Sequence, residues 1–280
     1  MVEARRWFIT GVSSGFGRLL AEAALARGDS VAGTLRSAGQ GSEFEALAPG
    51  RAHAILLDVT DRKRIGDAVA EGVAALGGID VLVNNAGYGL AGTVEELDED
   101  EIDHVIETNL AGTIYVTRAA LSALRESRGH VVNFSSMAGL VGLPGMAAYC
   151  AAKHGVEGFS ESLAAEMKPL GVGVTIVEPG GFRTNFFKGS ERIARNPMAL
   201  YDDTPGGRTR SHLSGAGDMM PGDPAKAIAA VLTAVDAPEP PLRLVLGADA
   251  LAGYRAKLDS VAANLTTWEA VTVGTAFSEN

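Results

Sequence analysis

The sequence predicts a three-layer α/β/α fold, in which helices cover both faces of a doubly wound parallel sheet of about seven strands. Two patterns support this prediction: short, continuously apolar runs recur along the chain, and stretches of helical periodicity separate them. Strands that lack a polar face indicate a sheet that is buried on both sides. Successive β-α-β units of this kind cross over with a right hand and give parallel strands between two layers of helices.

Seven segments are predicted to be strands and five to be helices. The strand segments are, in order, RWFITG, SVAGTL, AHAILLDV, DVLVNNAG, GHVVNFSS, GVTIVEP and LRLVLG. The helices are expected near residues 16–27, 62–75, 99–126, 147–168 and 224–236. The last helix has a clear start signal, because Asp223 can accept from its free N–H groups and Pro224 fits its first turn.

No repeat, low-complexity tract or proline-rich linker divides the chain, so a single domain is expected over residues 1–280. Residues 186–223 break the alternation of strands and helices. A loop of this length in a compact domain is typically a lid, a binding loop or a flexible insertion, and we expect a substrate lid within the domain. Residues 251–280 are interpreted as a carboxy-terminal extension that closes over the site or packs against another subunit.

The composition excludes several kinds of partner and site. A net charge of -10 leaves no concentrated basic face, so nucleic acid is not an expected partner. Cys150 is the only cysteine, which rules out an intramolecular disulfide and favours the cytoplasm. The first residues lack a signal-peptide pattern, and the longest apolar segment, AIAAVLTAV, is too short to span a bilayer. The five histidines show no ligand spacing, so no metal is expected.

A glycine-rich turn joins the first predicted strand to the first predicted helix. Gly11, Gly15 and Gly17 allow positive φ and let a ligand approach the backbone, while the start of the helix offers free N–H groups to an anion. Ser13 and Ser14 add hydroxyl donors, and a pyrophosphate is the natural guest. The spacing G-x-x-x-G-x-G differs from the G-x-G-x-x-G of many dinucleotide sites. The alternative is a glycine-rich turn that binds nothing.

The end of the second strand bears on which dinucleotide binds. NAD sites place a carboxylate there to hold the ribose 2′-hydroxyl, whereas NADP sites accept a basic residue beside the 2′-phosphate. This strand ends at Leu35 and Arg36, with no carboxylate. A guanidinium pairs well with phosphate, so Arg36 favours NADP(H), with NAD(H) also possible. The alternative is that Arg36 is a solvated surface residue.

The polar residues with chemical potential lie after the middle strands, where doubly wound folds bind their ligands. Ser136 ends one strand, and Tyr149 and Lys153 have the i, i+4 spacing that places them on one helix face. That spacing alone would also fit a half-buried tyrosine beside a lysine that has no chemical role. Asn109 lies inside a helical pattern, where asparagine is unfavourable unless its side chain has a function or the helix bends near Gly112. The sequence leaves both explanations of Asn109 open.

Taken together, the motifs resemble the short-chain dehydrogenase/reductase family, in its single-domain YxxxK branch. They are T-G-x-x-x-G-x-G from Thr10 to Gly17, N-N-A-G from Asn84 to Gly87, Asn109, Ser136, Y-x-x-x-K from Tyr149 to Lys153, and P-G-x-x-x-T from Pro179 to Thr184. They occur in the family's order and spacing, and the joint match is much more specific than any one motif. The resemblance implies a Rossmann-type fold and a nicotinamide cofactor.

The resemblance also implies four catalytic roles. Tyr149 would pass a proton to or from the substrate oxygen, and Lys153 would bind the nicotinamide ribose and lower the pKa of the tyrosine. Ser136 would hold the carbonyl oxygen, and Asn109 would support a water-linked proton path. These roles agree with physical chemistry, because a free phenol titrates at a pKa of about 10 and is a poor base unless positive charge stabilises the phenolate.

The resemblance further implies which residues form the cofactor cleft. Asp58 and Val59 would meet the adenine, Asn85 and Gly87 would border the ribose, and the segment 179–184 would hold the nicotinamide carboxamide. The full cofactor-binding set is Gly11, Ser13, Ser14, Gly15, Phe16, Gly17, Arg36, Asp58, Val59, Asn85, Gly87, Tyr149, Lys153, Pro179, Phe182 and Thr184.

The predicted function is therefore an NADP(H)-dependent oxidoreductase that interconverts a ketone or aldehyde and an alcohol on an apolar small molecule. Apolar residues before Tyr149 and in the lid favour such a substrate, and by resemblance a homo-oligomer is expected. One alternative is a non-catalytic protein that senses NADP(H), although such a protein has no use for a proton-transfer tyrosine. Another is a sugar-nucleotide epimerase or dehydratase, which the glycine spacing and the short region after Pro179 disfavour.

Overall fold

The computed structural model describes residues 4–184, 192–213 and 219–277. The strands are β1 (Arg6–Ile9), β2 (Ser30–Leu35), β3 (Ala52–Leu56), β4 (Val81–Asn84), β5 (Leu90–Ala91), β6 (His130–Phe134), β7 (Gly173–Pro179), β8 (Arg192–Ile193) and β9 (Arg243–Leu246). The helices are α1 (Gly15–Ala26), α2 (Gly41–Glu45), α3 (Arg62–Leu76), α4 (Glu99–Ile106), α5 (Gly112–Ser127), α6 (Ala147–Met167), α7 (Pro205–Leu213), α8 (Pro224–Asp236) and α9 (Ala248–Val273).

The main sheet has seven strands in the order β3-β2-β1-β4-β6-β7-β9, and every neighbouring pair is parallel. This confirms the predicted doubly wound α/β/α fold and all seven predicted strands. The chain moves outward in one direction from β1 to β3 and in the other direction from β4 onward, so the order switches between β1 and β4. In open sheets of this kind the crevice above the carboxyl ends of these strands is the ligand site.

Side chains alternate across β1 and divide the core into two layers. Trp7 and Ile9 pack with α1 and α8 on one face of the sheet, and Phe8 packs with α3 and α5 on the other. All three side chains are fully buried, which stabilises the fold by about 1.5–3 kcal/mol for each such side chain. The indole of Trp7 donates to the Asp29 carboxylate at 2.8 Å, so its polar atom is also satisfied.

The five predicted helices are present, with one interruption. The segment predicted as a helix over 99–126 consists of α4, a π-helical turn at Glu107–Ala111 and α5. A π turn inserts an extra residue into the hydrogen-bonding pattern, and such turns are frequent at functional sites. Asn109 lies in the middle of this turn, and its role is described below.

Part of the predicted lid has regular structure that the sequence did not reveal. Residues 192–213 contain β8, which pairs with β5, and the helix α7. Arg210 of α7 forms ion pairs with the buried Glu96 and with Asp202, which attaches this helix to the body of the protein. The remaining lid segments, 186–191 and 214–218, lie outside the described residues.

The predicted carboxy-terminal extension begins inside a long helix. Helix α9 contains 26 residues and starts three residues before the predicted boundary at 251. Residues 278–280 lie outside the described part of the chain. Over the described residues, no helix combines the length and the apolar character that crossing a membrane would require.

Candidate active site

One cavity of about 430 Å³ lies above the carboxyl ends of the central strands. It is lined by every residue that the sequence analysis assigned to catalysis or cofactor binding, with the exception of Gly17. The lining includes Arg36 and Asp58, Tyr149 and Lys153, and a group of apolar side chains that precede and follow α6 in the chain. The fold thus brings the predicted residues together from positions up to about 170 apart in the chain.

The glycine-rich turn leaves an open surface at the start of α1. Gly11 and Gly15 have φ values of 74° and 62°, which L side chains rarely adopt. A Cβ built on Gly15 would have no atom within 4 Å, so the backbone is open to the cavity. Ser14 is the N-cap residue of α1 but its side chain makes no capping hydrogen bond. The free N–H groups of this helix start and the two serine hydroxyls fit a pyrophosphate.

Gly17 lies behind this surface rather than in it. A Cβ at Gly17 would be 2.3 Å from the Gly11 carbonyl oxygen and 2.4 Å from Nδ2 of Asn85. The same Nδ2 donates to the carbonyl oxygens of Thr10 and Gly11, both at 3.0 Å. Gly17 therefore shapes the turn by allowing β1, α1 and the loop after β4 to approach one another.

The cavity has a cation just after β2, where many dinucleotide sites have an acid. The strand β2 ends at the buried Leu35, and the exposed Arg36 follows it. Asp58 accepts hydrogen bonds from the backbone N–H of Thr60 at 2.9 Å and from its hydroxyl at 2.8 Å. Burial would raise the pKa of Asp58, but these two bonds and the nearby positive charge of Arg36 lower it overall. Asp58 is therefore ionised, and Arg36 is close enough to stabilise it.

Tyr149 and Lys153 lie on the face of α6 that points into the cavity. Both are only 5% exposed, and Nζ of Lys153 lies 5.8 Å from the centre of the Tyr149 ring. The ammonium group donates to the Phe134 carbonyl at 2.7 Å, which fixes it to the end of β6. Burial lowers the pKa of Lys153 to about 8, and the Glu157 carboxylate one turn further along the helix partly opposes this effect. The lysine is thus a positioned cation at neutral pH.

Ser136 lies two residues after β6, and the backbone directs its hydroxyl. Its Oγ accepts a hydrogen bond from the N–H of Ala138 at 3.1 Å, so it caps the short helical turn Met137–Gly139. An oxygen that accepts from the backbone keeps its own proton available as a donor. Ser136 can therefore donate to an oxygen atom in the cavity.

Asn109 lies where the backbone departs from a regular α-helix. Its side chain is also engaged in three hydrogen bonds. Its Oδ1 accepts from the N–H of Tyr88 at 3.2 Å, and its Nδ2 donates to the carbonyls of Tyr88 at 3.1 Å and Val105 at 2.9 Å. A Cβ at Gly87 would lie 2.4 Å from that Oδ1 and 3.7 Å from Nζ of Lys153. Asn109 thus holds the loop after β4 beside the lysine.

The loop after β7 is held by a residue that the sequence analysis missed. Asp249, in the first turn of α9, accepts from the N–H of Gly181 at 2.7 Å. A Cβ on Gly180 would lie 2.4 Å from both oxygens of this carboxylate, so the acid is packed directly against the loop. No local pattern marks Asp249, because only the tertiary structure brings it to the segment 179–184.

Phe182 of the same loop belongs to an aromatic group at the wall of the cavity. Its ring meets Phe16 edge-on at 5.5 Å, and Phe16 stacks on Phe134 at 5.6 Å. Phe16 comes from the glycine-rich turn and Phe134 from the end of β6, so the three rings link three parts of the predicted cofactor cleft. Offset and edge-on pairs of this kind contribute about 0.5–1.5 kcal/mol each.

The remaining wall is mainly apolar, with one polar group that the sequence analysis also missed. Its apolar lining consists of Met137, Leu143, Met146, Leu213 and Met220. The Tyr88 hydroxyl and Nδ1 of His104 form a hydrogen bond of 2.8 Å, and the Arg192 guanidinium lies 4.6 Å above the Tyr88 ring. Burial raises the pKa of Tyr88, so this hydroxyl stays protonated. The wall can accommodate an apolar molecule.

The chain is similar to known proteins in both sequence and structure. Residues 5–193 match the family profile described as short chain dehydrogenase. The chain is 38% identical over 272 residues to oxidoreductase BOA17 of Botryotinia fuckeliana, which covers 96% of this chain and 98% of that relative. A short-chain dehydrogenase structure from Streptomyces avermitilis has a TM-score of 0.91 and 46% identity, over 98% of this chain and 100% of that one. A 3-ketodihydrosphingosine reductase of Bacteroides thetaiotaomicron is 37% identical over 179 residues, which are 64% of each chain.

Proposed function

Since the chain belongs to the short-chain dehydrogenase family and is thus an NAD(P)-dependent oxidoreductase, we propose that it interconverts an apolar ketone or aldehyde with the corresponding alcohol, with a preference for NADP(H). The observation that carries the proposal is the shared cavity, in which the glycine-rich turn, Ser136, Tyr149 and Lys153 face the same space. A binding site for an anionic cofactor and a tyrosine beside a buried cation are the two parts that such a reaction requires.

The cleft offers residues for each part of a nicotinamide dinucleotide. The open backbone at Gly15 and the unused hydroxyl of Ser14 would hold the pyrophosphate. Arg36 would pair with a 2′-phosphate, and the loop that Asp249 fixes would hold the carboxamide. When bound, this cofactor supplies or accepts the hydride. The chain's own residues bind and orient it and move the proton.

Proton transfer is assigned to Tyr149. In the direction of reduction, its hydroxyl gives a proton to the carbonyl oxygen, and in oxidation its phenolate takes that proton from the alcohol. The ammonium of Lys153 stabilises the phenolate by its charge, and the hydrogen bond to Phe134 keeps it in place. Ser136 donates to the same substrate oxygen and stabilises the negative charge that develops there.

The substrate is proposed to be apolar on two grounds. Methionine and leucine side chains form most of the wall beyond Tyr149, and such walls bind their ligands mainly through buried apolar area. In addition, one relative is named for a ketone substrate, 3-ketodihydrosphingosine. A panel that varies chain length and charge around a ketone or aldehyde tests this. Turnover confined to small charged acids would contradict an apolar pocket.

The central experiment compares the wild type with Tyr149→Phe. Oxidation of NADPH is followed with the panel of carbonyl compounds, and NADPH binding is titrated in both proteins. We expect the variant to bind NADPH within about threefold of the wild type and to lose at least about a hundredfold in kcat, since a positioned acid contributes 10²–10⁴-fold. Tyr115→Phe, which removes a hydroxyl on α5 away from the cavity, is the matched control and should retain activity.

The cofactor preference is tested at the end of β2. Leu35→Asp combined with Arg36→Ala supplies the missing carboxylate and removes the cation, and it is expected to move the ratio of kcat/KM values toward NADH. Arg125→Ala removes an exposed arginine outside the cavity and should leave the ratio unchanged. An unchanged preference in the double variant would refute the assignment of Arg36.

Two other functions remain to be tested by the same proteins. If the protein is a non-catalytic sensor, both the wild type and Tyr149→Phe would bind NADPH, and neither would turn over any compound in a broad panel. A proton-transfer role for Tyr149 requires wild-type turnover that Tyr149→Phe loses. An epimerase or dehydratase would retain its cofactor tightly through purification. The absorbance of the purified protein therefore distinguishes that class before any substrate is added.

A further inference from the structure

Helix α9 leaves the body of the protein soon after it begins. Its first turns contact β9 and the turn Met137–Gly139, and Tyr254 is the last buried side chain. Every residue from Leu258 to Phe277 is exposed. A helix of 26 residues is about 39 Å long, so more than half of that length stands away from the rest of the described chain.

The exposed part carries a regular apolar stripe. Leu258, Val261, Leu265 and Trp268 follow one another at alternating spacings of three and four residues, which continue the spacing of Leu251 and Tyr254 nearer the body of the protein. This is the a/d pattern of a heptad repeat, and helices with this pattern pair through the stripe. In the monomer, Leu258, Leu265 and Trp268 are 58%, 61% and 55% exposed, so the stripe is largely uncovered.

The charges beside the stripe indicate what covers it. With Tyr254, Val261 and Trp268 as the d residues of the stripe, Arg255 and Glu269 each directly follow a d residue and so lie at the edge of the stripe. Neither charge forms an ion pair within the described residues. If a second α9 runs antiparallel about a two-fold axis level with Ala263, Leu258 meets the partner's Trp268 and Val261 meets the partner's Leu265. The same register places Arg255 beside the partner's Glu269, twice by symmetry. A parallel arrangement places Asn264 beside the partner's Glu269 and makes no complementary ion pair.

A membrane surface is the other class of partner that an apolar helix could meet. Helices that lie on membranes carry lysine and arginine on the polar face. Here Arg255 and Lys257 are balanced by Asp259 and Glu269 on the same exposed part of the helix. The charge pattern thus favours another copy of this chain over a lipid surface.

We propose that α9 is a dimerisation element, in which two copies of the chain pair their α9 helices antiparallel through the stripe from Leu258 to Trp268. The contact is isologous, because each helix offers the same surface to the other. It is independent of the catalytic assignment, since none of the stripe residues lines the cavity.

The first test is the mass in solution. Light scattering after size-exclusion chromatography should give the wild type twice the 28.9 kDa of one chain, or a higher even multiple. By symmetry, Leu265→Glu places a charge against Val261 at two points of the interface. It should raise the dissociation constant of the dimer by about a hundredfold or more, which halves the mass at micromolar concentration. Ala263→Glu lies on the opposite face of the same helix and should leave the mass unchanged. Far-UV circular dichroism shows that each variant is folded.

A charge exchange tests the antiparallel register. Arg255→Glu and Glu269→Arg each place like charges together twice and should each raise the dissociation constant about three- to tenfold, whereas the double variant restores the pair. A double variant as weak as the single ones would overturn the antiparallel register. A monomeric wild type, or a Leu265→Glu variant with unchanged mass, would overturn the proposal. A monomer that sediments with phosphatidylcholine/phosphatidylglycerol vesicles would also overturn the proposal, and would indicate that α9 binds a lipid surface instead.

Discussion

Gly17 gives the sharpest test of how the cofactor turn is built. In Gly17→Ala the new methyl group would lie 2.3 Å from the Gly11 carbonyl oxygen and 2.4 Å from Nδ2 of Asn85. Real Cβ contacts essentially never fall below 3.0 Å, so both groups have to move by about 0.6–0.7 Å. Such overpacking costs about 1–3 kcal/mol, and the better helix propensity of alanine returns only about 0.5–1 kcal/mol.

The expected net loss is about 1–2 kcal/mol in the free energy of unfolding, or about 2–6 °C in Tm for a chain of this size. NADPH binding should weaken by about tenfold or more, because the displaced Gly11 belongs to the surface that would hold the pyrophosphate. Thermal melting followed by circular dichroism measures the first effect, and a fluorescence titration with NADPH measures the second.

Gly66→Ala is the matched control for this prediction. Gly66 is exposed on α3, and a Cβ there would meet no atom within 4 Å. It should stabilise the protein by about 0.5–1 kcal/mol through helix propensity alone and leave NADPH binding unchanged. If Gly17→Ala behaves like Gly66→Ala in both assays, the close approach of α1, β1 and the loop after β4 is refuted.

Substitutions at three further residues provide additional tests. Asn109→Ala leaves the buried N–H and carbonyl of Tyr88 without their partner, so it should lower the free energy of unfolding by about 2–4 kcal/mol in urea titrations and reduce kcat. Asp249→Ala should raise the KM for NADPH because the N–H of Gly181 loses its acceptor, and Asp249→Asn, which keeps an acceptor oxygen, should raise it less. Burial and the charge of Glu157 raise the pKa of Glu178 to about 7. The protonated form of Glu178 therefore stabilises the folded protein, and this stability is lost as pH rises from about 4.5 through 7. Glu178→Gln should remove this pH dependence, which Tm measured across the same range would show. A variant whose Tm falls with pH as the wild type does would contradict the shift.

The sheet could be predicted because each of its strands carries a local signal. Apolar runs such as the one from Val31 to Leu35 have no polar face, and a strand buried on both sides needs none. The motif residues could be predicted for a related reason. The glycine-rich turn and the Tyr149–Lys153 pair owe their place in the cavity to local geometry, a turn and a helix face, and spacing in the sequence records both.

The helix α7 could not be predicted because tertiary contacts override its composition. It begins with Pro205 followed by two glycines, which are poor helix formers. A Cβ on Gly207 would lie 2.0 Å from the Tyr201 carbonyl oxygen, so packing selects glycine there. Arg210 then anchors the helix to Glu96, more than a hundred positions away. Neither contact leaves a pattern in the segment itself.

Helix α9 was missed for a different physical reason, and that reason supports its proposed role. Helices that pack on a globular core are recognised by a broad apolar stripe, whereas α9 carries only the narrow a/d stripe and its last turns contain β-branched residues such as Val271 and Thr272. A long helix with an uncovered heptad stripe is incomplete as a monomer, since its stability normally comes from packing. The same helix begins with Asp249, which fixes the loop of the predicted nicotinamide site. Pairing at its far end would therefore also hold its first turn in place.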